Sequence, residues 1–180
     1  MPRQCSYPNV HLPAVKPYYS QSMEKGIQIR LAKQKDAETI REIYNPEVRN
    51  STATFDLVER TTEEQEEWLT ERSVAFSVLV AEMSNKILGF ASLSPYKSRA
   101  AYRTTVEDSI YINEEFRNQG IAGELLFHLL EVAKSSGFHA VIARIGGANE
   151  ASIALHQRFD FEIVGTEKEI GRKFGKWQDV

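Results

Sequence analysis

The chain has a single cysteine, Cys5. That excludes an internal disulfide framework and any metal cluster built on several thiolates, and it fits a reducing, cytoplasmic location. There is no large excess of charge of either sign. Lysine and arginine number 22 against 25 acidic residues, a formal net charge of −3. Such a balance exerts no strong pull on nucleic acid or on an anionic membrane, and neither is expected as a partner. No apolar run approaches the ~20 residues of a membrane-spanning helix. The longest, around Ala75–Ala81, has the length of a buried strand. Histidine is scarce, and His11, His128 and His139 form no plausible ligand set, so no metal is expected. Proline is rare beyond the first residues: four of the six, Pro2, Pro8, Pro13 and Pro17, precede residue 26. Residues 1–26 also have little periodicity and no apolar stretch of the secretory kind. They are read as a disordered or loosely docked extension. Residues 27–180 then suit one domain with a sizeable core.

Within that domain the hydrophobic pattern changes period repeatedly. Ile27-Gln28-Ile29-Arg30-Leu31 alternates as a half-buried strand does. Asp36 is a candidate N-cap for a helix from Ala37 to about Tyr44, which Pro46 should stop. Thr62-Glu63-Glu64-Gln65 reads as a capping box opening a helix to about Arg72, with Trp68 and Leu69 buried. Phe76–Glu82 and Ile87–Ser94 form a predicted hairpin across Ser84-Asn85-Lys86. A polar, basic loop follows, from Tyr96 to Arg103. Next come a strand, Val106–Asn113, and an amphipathic helix, Ile121–Ser135, which Gly137 is placed to end. Ala140–Ile145 and Ala151–Arg158 read as a strand and a short helix. Phe161–Glu169 and about Lys173–Trp177 read as the last strands. The mixed order predicts an α/β domain with helices on the faces of a mixed sheet.

The most informative stretch is Arg117-Asn118-Gln119-Gly120-Ile121-Ala122-Gly123, between a strong strand and a strong helix. Small residues at Gly120, Ala122 and Gly123 allow a ligand close to the backbone. The helix N-terminus there favours an anion, and a diphosphate is the natural occupant. Arg117 adds positive charge at the mouth. A glycine-rich turn without a ligand remains the alternative. The dinucleotide pattern of three glycines is not matched, and no strand–helix–strand unit precedes it.

At these residues the chain resembles a known family. The run Arg117, Gly120, Ala122 after a central strand is similar to the acetyl-CoA motif of the GNAT N-acetyltransferases. A narrower likeness is to the phosphinothricin and methionine sulfoximine acetyltransferases. It is carried by Ile43-Tyr44-Asn45, Ser51-Thr52-Ala53-Thr54-Phe55, Gly89-Phe90-Ala91-Ser92 and Arg99-Ala100-Ala101-Tyr102-Arg103. Thr105–Ile112, Asn149–His156 and Gly175–Val180 complete it. One departure is Asp160, where a glycine is usual before the Phe of the last helix-to-strand turn. If a positive φ is needed there, Asp bears it at some cost. The resemblance implies a GNAT fold: a central, mostly antiparallel mixed sheet of about seven strands, splayed in the middle, with about four helices. It implies acetyl-CoA as co-substrate, a small amine as acceptor and a homodimer.

Amide formation from an amine needs a proton acceptor. Glu107 is the candidate. Alternation sets Glu107, Ser109 and Tyr111 on one face of its strand, opposite Val106, Ile110 and Ile112. A partly shielded carboxylate there has a raised pKa. The resemblance implies that same base, and His156 as proton donor to the leaving thiolate. By the same resemblance Asn149 and Ser152 hydrogen-bond the pantetheine arm; simple helix capping is the alternative for Asn149. Backbone groups of Tyr111 and Ile112 pair with that arm, and an amide near Ile110 polarises the thioester carbonyl. Asn118, Gln119, Ile121 and Gly123 complete the cofactor turn. Arg99, Tyr102 and Arg103 make a basic, aromatic loop suited to a substrate carboxylate. Phe55 and Tyr96 are candidates to line the same pocket. Lys173, Phe174 and Trp177 are implied to complete it, from this chain or from a partner subunit.

Overall fold

A computed structural model describes residues 26–72, 74–147 and 149–180. Apart from Gly26, the N-terminal extension lies outside the described residues. A five-stranded sheet runs β1-β2-β3-β4-β5. Its strands are β1 (Gln28–Leu31), β2 (Val78–Met83), β3 (Lys86–Pro95), β4 (Thr105–Ile112) and β5 (Ala140–Ile142). The first four are antiparallel neighbours, and β4 and β5 are parallel. A parallel pair needs a crossover, and α3 (Ile121–Ser135) supplies it. The hairpin between β2 and β3 turns on two residues, Ser84 and Asn85, with φ of 50° and 65°. That left-handed pair matches the twist of the strands it joins.

The sheet separates two cores. On one side α1 (Ala37–Asn50) and α2 (Thr62–Thr70) pack Ile40, Ile43, Tyr44 and Val48 against Val78, Val80 and Phe90. On the other, Ile121, Leu125 and Leu129 of α3 pack against Leu79, Leu93 and Val106. Alternation along β4 therefore sends Tyr111 into the first core and Ile110 and Ile112 toward the second.

Several local expectations change in this context. Pro46 lies inside α1, which continues to Asn50. A mid-helix proline costs ~3 kcal/mol, and tertiary packing outweighs it. Tyr44 and Val48 are buried on either side, and Asn45 bonds the backbone of Arg60 in both directions, at 3.0 and 2.9 Å. Asp36 does not cap α1 with its side chain. Its carboxylate accepts from Arg30 at 2.6 and 3.1 Å and from the Lys33 amide at 2.7 Å. The capping box of α2 pairs Thr61 with Glu64, one residue earlier than expected.

The C-terminal part differs most. Residues 161–170 form no strand. They are tied to the C-terminus by reciprocal bonds between Glu167 and Val180, of 2.8 and 3.1 Å. After α4 (Glu150–Gln157), the last strands β6 (Gly171–Lys173) and β7 (Lys176–Gln178) pair only with each other. Among the described residues there are thus seven strands and four α-helices, divided into a sheet of five and a hairpin of two. Asp160 does take the positive φ, at 59°.

Candidate active site

β4 and β5 are paired only from Thr105–Glu107 to Ala140–Ile142. Beyond Glu107, β4 runs on to Ile112 bonded to β3 alone. Backbone groups of successive strand residues point to opposite edges. The Asn113 amide bonds Leu88 on the β3 side at 2.9 Å, and Thr105 oxygen accepts from Tyr96 on that side. Thr104 oxygen instead accepts from His139 at 2.8 Å, on the β5 side. Odd-numbered residues of β4 therefore serve β3, and Asp108, Ile110 and Ile112 turn their amides and carbonyls to the open edge. The backbone groups of Ile110 and Ile112 thus face an edge that β5 leaves unpaired, where an extended ligand fits. Tyr111 is removed as a backbone partner, because its backbone is directed to β3.

The fork opens into a cleft of about 1100 Å³. Its walls are β4 residues 107–112, the turn before α3, the start of α4 and residues 51–55. The turn is built as a cradle. Asn118 and Gly120 have φ of 62° and 86°. A Cβ on Gly120 would meet nothing within 4 Å, so it is conformation and not crowding that calls for glycine. The first bonds of α3 run from the Gly123 and Glu124 amides to Gly120 oxygen, at 3.0 and 3.3 Å. The amides of Ile121 and Ala122 precede them, at the positive end of the helix dipole. This arrangement fits a diphosphate.

Arg117, Asn118, Gly120, Ile121, Ala122 and Gly123 all line the cleft; Gln119 does not. The Arg117 guanidinium is paired with the Glu47 carboxylate of α1. Asn149 and Ser152 line the cleft too, and Asn149 caps α4 by accepting from the Ser152 amide at 3.1 Å.

Glu107 and His156 open onto this same cleft. Glu107 is half-buried, and its pKa is raised. Burial is the main cause; the nearby Arg144 guanidinium opposes it, and Asp108 and Glu167 reinforce it. His156 is 6% exposed. Its Nδ1 lies 2.7 Å from Ser152 oxygen and its Nε2 lies 3.0 Å from Asp108 Oδ2. Burial works against the charged ring, but these partners outweigh it and the pKa is raised.

The substrate residues divide. Phe55 lines the cleft and is wedged between two glycines. A Cβ on Gly146 or Gly171 would come within 2.9 or 2.2 Å of its ring. Arg99 and Tyr102 open instead onto a separate hollow of about 530 Å³ with Lys97 and Ser98. Tyr96 and Tyr102 meet edge to face at 5.6 Å, and Lys97 Nζ sits 4.6 Å from the Tyr96 ring. Arg103 closes the short 3-10 turn of this loop. Lys173 is not available to a substrate. Its buried Nζ donates to Thr54 oxygen at 2.7 Å and to Glu47 oxygen at 3.3 Å, tying the hairpin to the cleft wall. Phe174 and Trp177 are exposed on that hairpin and do not line the cleft.

Three residues of the site escape the sequence reading. Asp108 bonds His156, Glu47 bonds Arg117, and Arg144 lines the cleft beside Glu107. Only Asp108 leaves a signal. It is a carboxylate on the otherwise apolar face Val106, Ile110, Ile112. A buried charge there demands a partner.

The acetyltransferase (GNAT) domain matches residues 29–180. A phosphinothricin N-acetyltransferase of Streptomyces coelicolor is 36% identical over 158 residues, covering 86% of this chain and 92% of that protein. An L-methionine sulfoximine/L-methionine sulfone acetyltransferase of Pseudomonas aeruginosa is 36% identical over 154 residues, covering 84% and 90%. Among solved structures, a GNAT superfamily phosphinothricin acetyltransferase from Sinorhizobium meliloti, in complex with acetyl-CoA, superimposes with a TM-score of 0.81. It is 36% identical, with 86% and 84% of the two chains covered. A forked sheet, an anion cradle at the fork and a match spanning the whole described domain converge, and the chain belongs to the GNAT acetyltransferase family, an acyltransferase.

Proposed function

We propose that this enzyme moves the acetyl group of acetyl-CoA onto the primary amine of a small amino-acid-like substrate, of the phosphinothricin or methionine sulfoximine type. The single observation that carries the reading is the cleft in which the cradle and Glu107 meet. The names of the relatives supply the acceptor class. When bound, acetyl-CoA supplies an activated acyl carbon and a thiolate leaving group. The cradle amides of Ile121 and Ala122 hold the diphosphate, and Arg117 joins them on release from Glu47. The open-edge backbone of Ile110 and Ile112 aligns the pantetheine arm, with Asn149 and Ser152 at its other side. Glu107 takes the amine proton, its raised pKa bringing it nearer the working range of a base. His156 is the source of the proton that the sulfur needs. Arg144, beside Glu107, is paired with Glu167 at 3.1 Å and takes the substrate carboxylate in place of Glu167. A homodimer belongs to the same reading, supported by the exposed Ile163, Val164, Phe174 and Trp177.

The test is thiol release from acetyl-CoA with a panel of amines. Turnover on methionine sulfoximine or phosphinothricin is expected, dropping at least ~100-fold in Glu107→Gln. An unaffected variant removes the base assignment. Turnover confined to polyamines, aminoglycosides or protein N-termini removes the acceptor class. Acetyl-CoA binding with no turnover on any amine leaves a binding module.

A further inference from the structure

Asp108 is the one charged residue that β4 sends to its apolar side, and it is almost fully enclosed: 2% of its side chain is accessible, against 7% for His156. The residues are 48 positions apart in the chain, so the contact joins β4 to α4. Hydrogen-bond chemistry then constrains the ring. Ser152 oxygen is a carbonyl and can only accept, so at 2.7 Å the facing Nδ1 carries a hydrogen. Nε2 faces Oδ2 of Asp108 at 3.0 Å. A neutral ring with its proton on Nδ1 would turn a bare lone pair toward a carboxylate. Asp108 Oδ1 is also buried and has no hydrogen-bond partner among the described residues. A half-satisfied carboxylate in such a place calls for a counter-charge. The Ser152 hydroxyl, 3.4 Å from Nδ1, is too distant to change this assignment.

We propose that Asp108 is a positioning residue: it holds a proton on Nε2 while the Ser152 carbonyl holds one on Nδ1, so that His156 is kept as an imidazolium in one orientation at the wall of the cleft. The pair is neutral as a whole and sits on the far side of the strand from Glu107. The ring thereby stores the proton that sulfur needs, giving up Nδ1–H from the Ser152 carbonyl while Nε2–H stays on Asp108, and α4, with Asn149 and Ser152, is pinned to the open edge of the sheet. The other charged groups on the packed elements are Glu107 on β4, Glu150 on α4 with Arg158 just after it, and Glu131, Lys134 and the buried Glu124 on α3. Phe161 meets the ring edge-on at 5.0 Å and carries no charge.

The proposal rests on the acetyl-transfer reading only for its kinetic arm. In the native protein, ring ¹⁵N shifts at pH 7 are expected to show both nitrogens of His156 protonated, with a titration midpoint above that of a free histidine. In Asp108→Asn the midpoint is expected to fall below that of a free histidine. The ratio of variant to native turnover is then expected to fall by about tenfold per pH unit between the new midpoint and the native one, and to level off above it. One protonated nitrogen in the native ring at pH 7 overturns the proposal. So does an unshifted midpoint, or a turnover ratio that is flat with pH, which a merely structural role would give. If Asp108→Asn does not fold, the native ¹⁵N spectrum decides alone. If no amine is acetylated, the functional reading fails while the spectra still decide the ring state.

Discussion

Glu107 shares its side of β4 with Tyr111, which packs on Tyr44 of α1 at 5.1 Å and on Phe90 at 5.2 Å. Asp108 faces the other way, into the side covered by α3 and α4. Glu107 is only half-buried, and its carboxylate makes no hydrogen bond among the described residues, so burial raises its pKa. Asp108 is more deeply enclosed, yet His156 supplies a bonded counter-charge. Adjacent carboxylates on one strand are thereby given different work. The one without a bonded counter-charge is suited to exchange a proton, and the one with it to hold another group in place. Two titratable groups separated by environment in this way are a recurrent basis for acid and base assignment.

The contrast is most strongly broken by removing the counter-charge. His156→Gln strands Asp108 in the interior, and breaking a buried pair from one side costs about 3–5 kcal/mol. Urea unfolding at pH 7 measures this, and a loss below about 1 kcal/mol would remove the pair from the account. Glu107→Gln comes next. Its expected ~100-fold loss of turnover equals about 2.7 kcal/mol of barrier. The same variant should be no less stable than the native protein at pH 7, because it discards a carboxylate that folding disfavours; a clear destabilisation contradicts that.

A subtler difference lies in pH. Both groups have folded pKa values above their unfolded ones, so the native state binds more protons and stability declines as pH rises. For Glu107 the decline begins near its ordinary 4.5, and for His156 near 6.5, each ending above its raised folded value. Unfolding free energies of native protein and variants across pH 4–9 should show the lower decline vanish in Glu107→Gln and the upper one give way to a rise in Asp108→Asn. Identical slopes in all three proteins would dissolve the distinction. The smallest effect is a control outside β4. Asp160 bears a φ of 59°, and Asp160→Gly should raise stability by up to ~1 kcal/mol with turnover unchanged. Lowered stability would show that its side chain compensates.

Much of the site was legible because it depends on short stretches. The alternation Val106, Ile110, Ile112 against Glu107, Ser109, Tyr111 assigned the two faces of β4, and packing follows it. The cradle was legible in Gly120, Ala122 and Gly123 ahead of an apolar-periodic helix. Where reading failed, a distant contact had overruled a local rule. Pro46 should have ended α1, but Asn45 is held by the backbone of Arg60. Lys173 was implied by resemblance to complete the substrate pocket, but the hairpin carries its ammonium to the Thr54 and Glu47 carbonyls. Phe161–Glu169 read as a strand, yet no sheet edge receives it. Tyr111 was assigned a backbone contact, but which edge an amide faces depends on which neighbour the strand has.

The chain's own order of residues settled the elements of the sheet and the glycine-containing turn before α3, because period, capping and turn geometry act over a few residues. It also placed Glu107 beside that turn, since the two lie within one strand and one turn. The partners of the charged groups required the folded molecule. Asp108 meets His156 across 48 positions and Arg117 meets Glu47 across 70. Charge, unlike hydrophobic period, carries no mark of its partner. A carboxylate in a sequence becomes a base, an anchor or a latch only once packing fixes how far it is from water and which opposite charge it can reach.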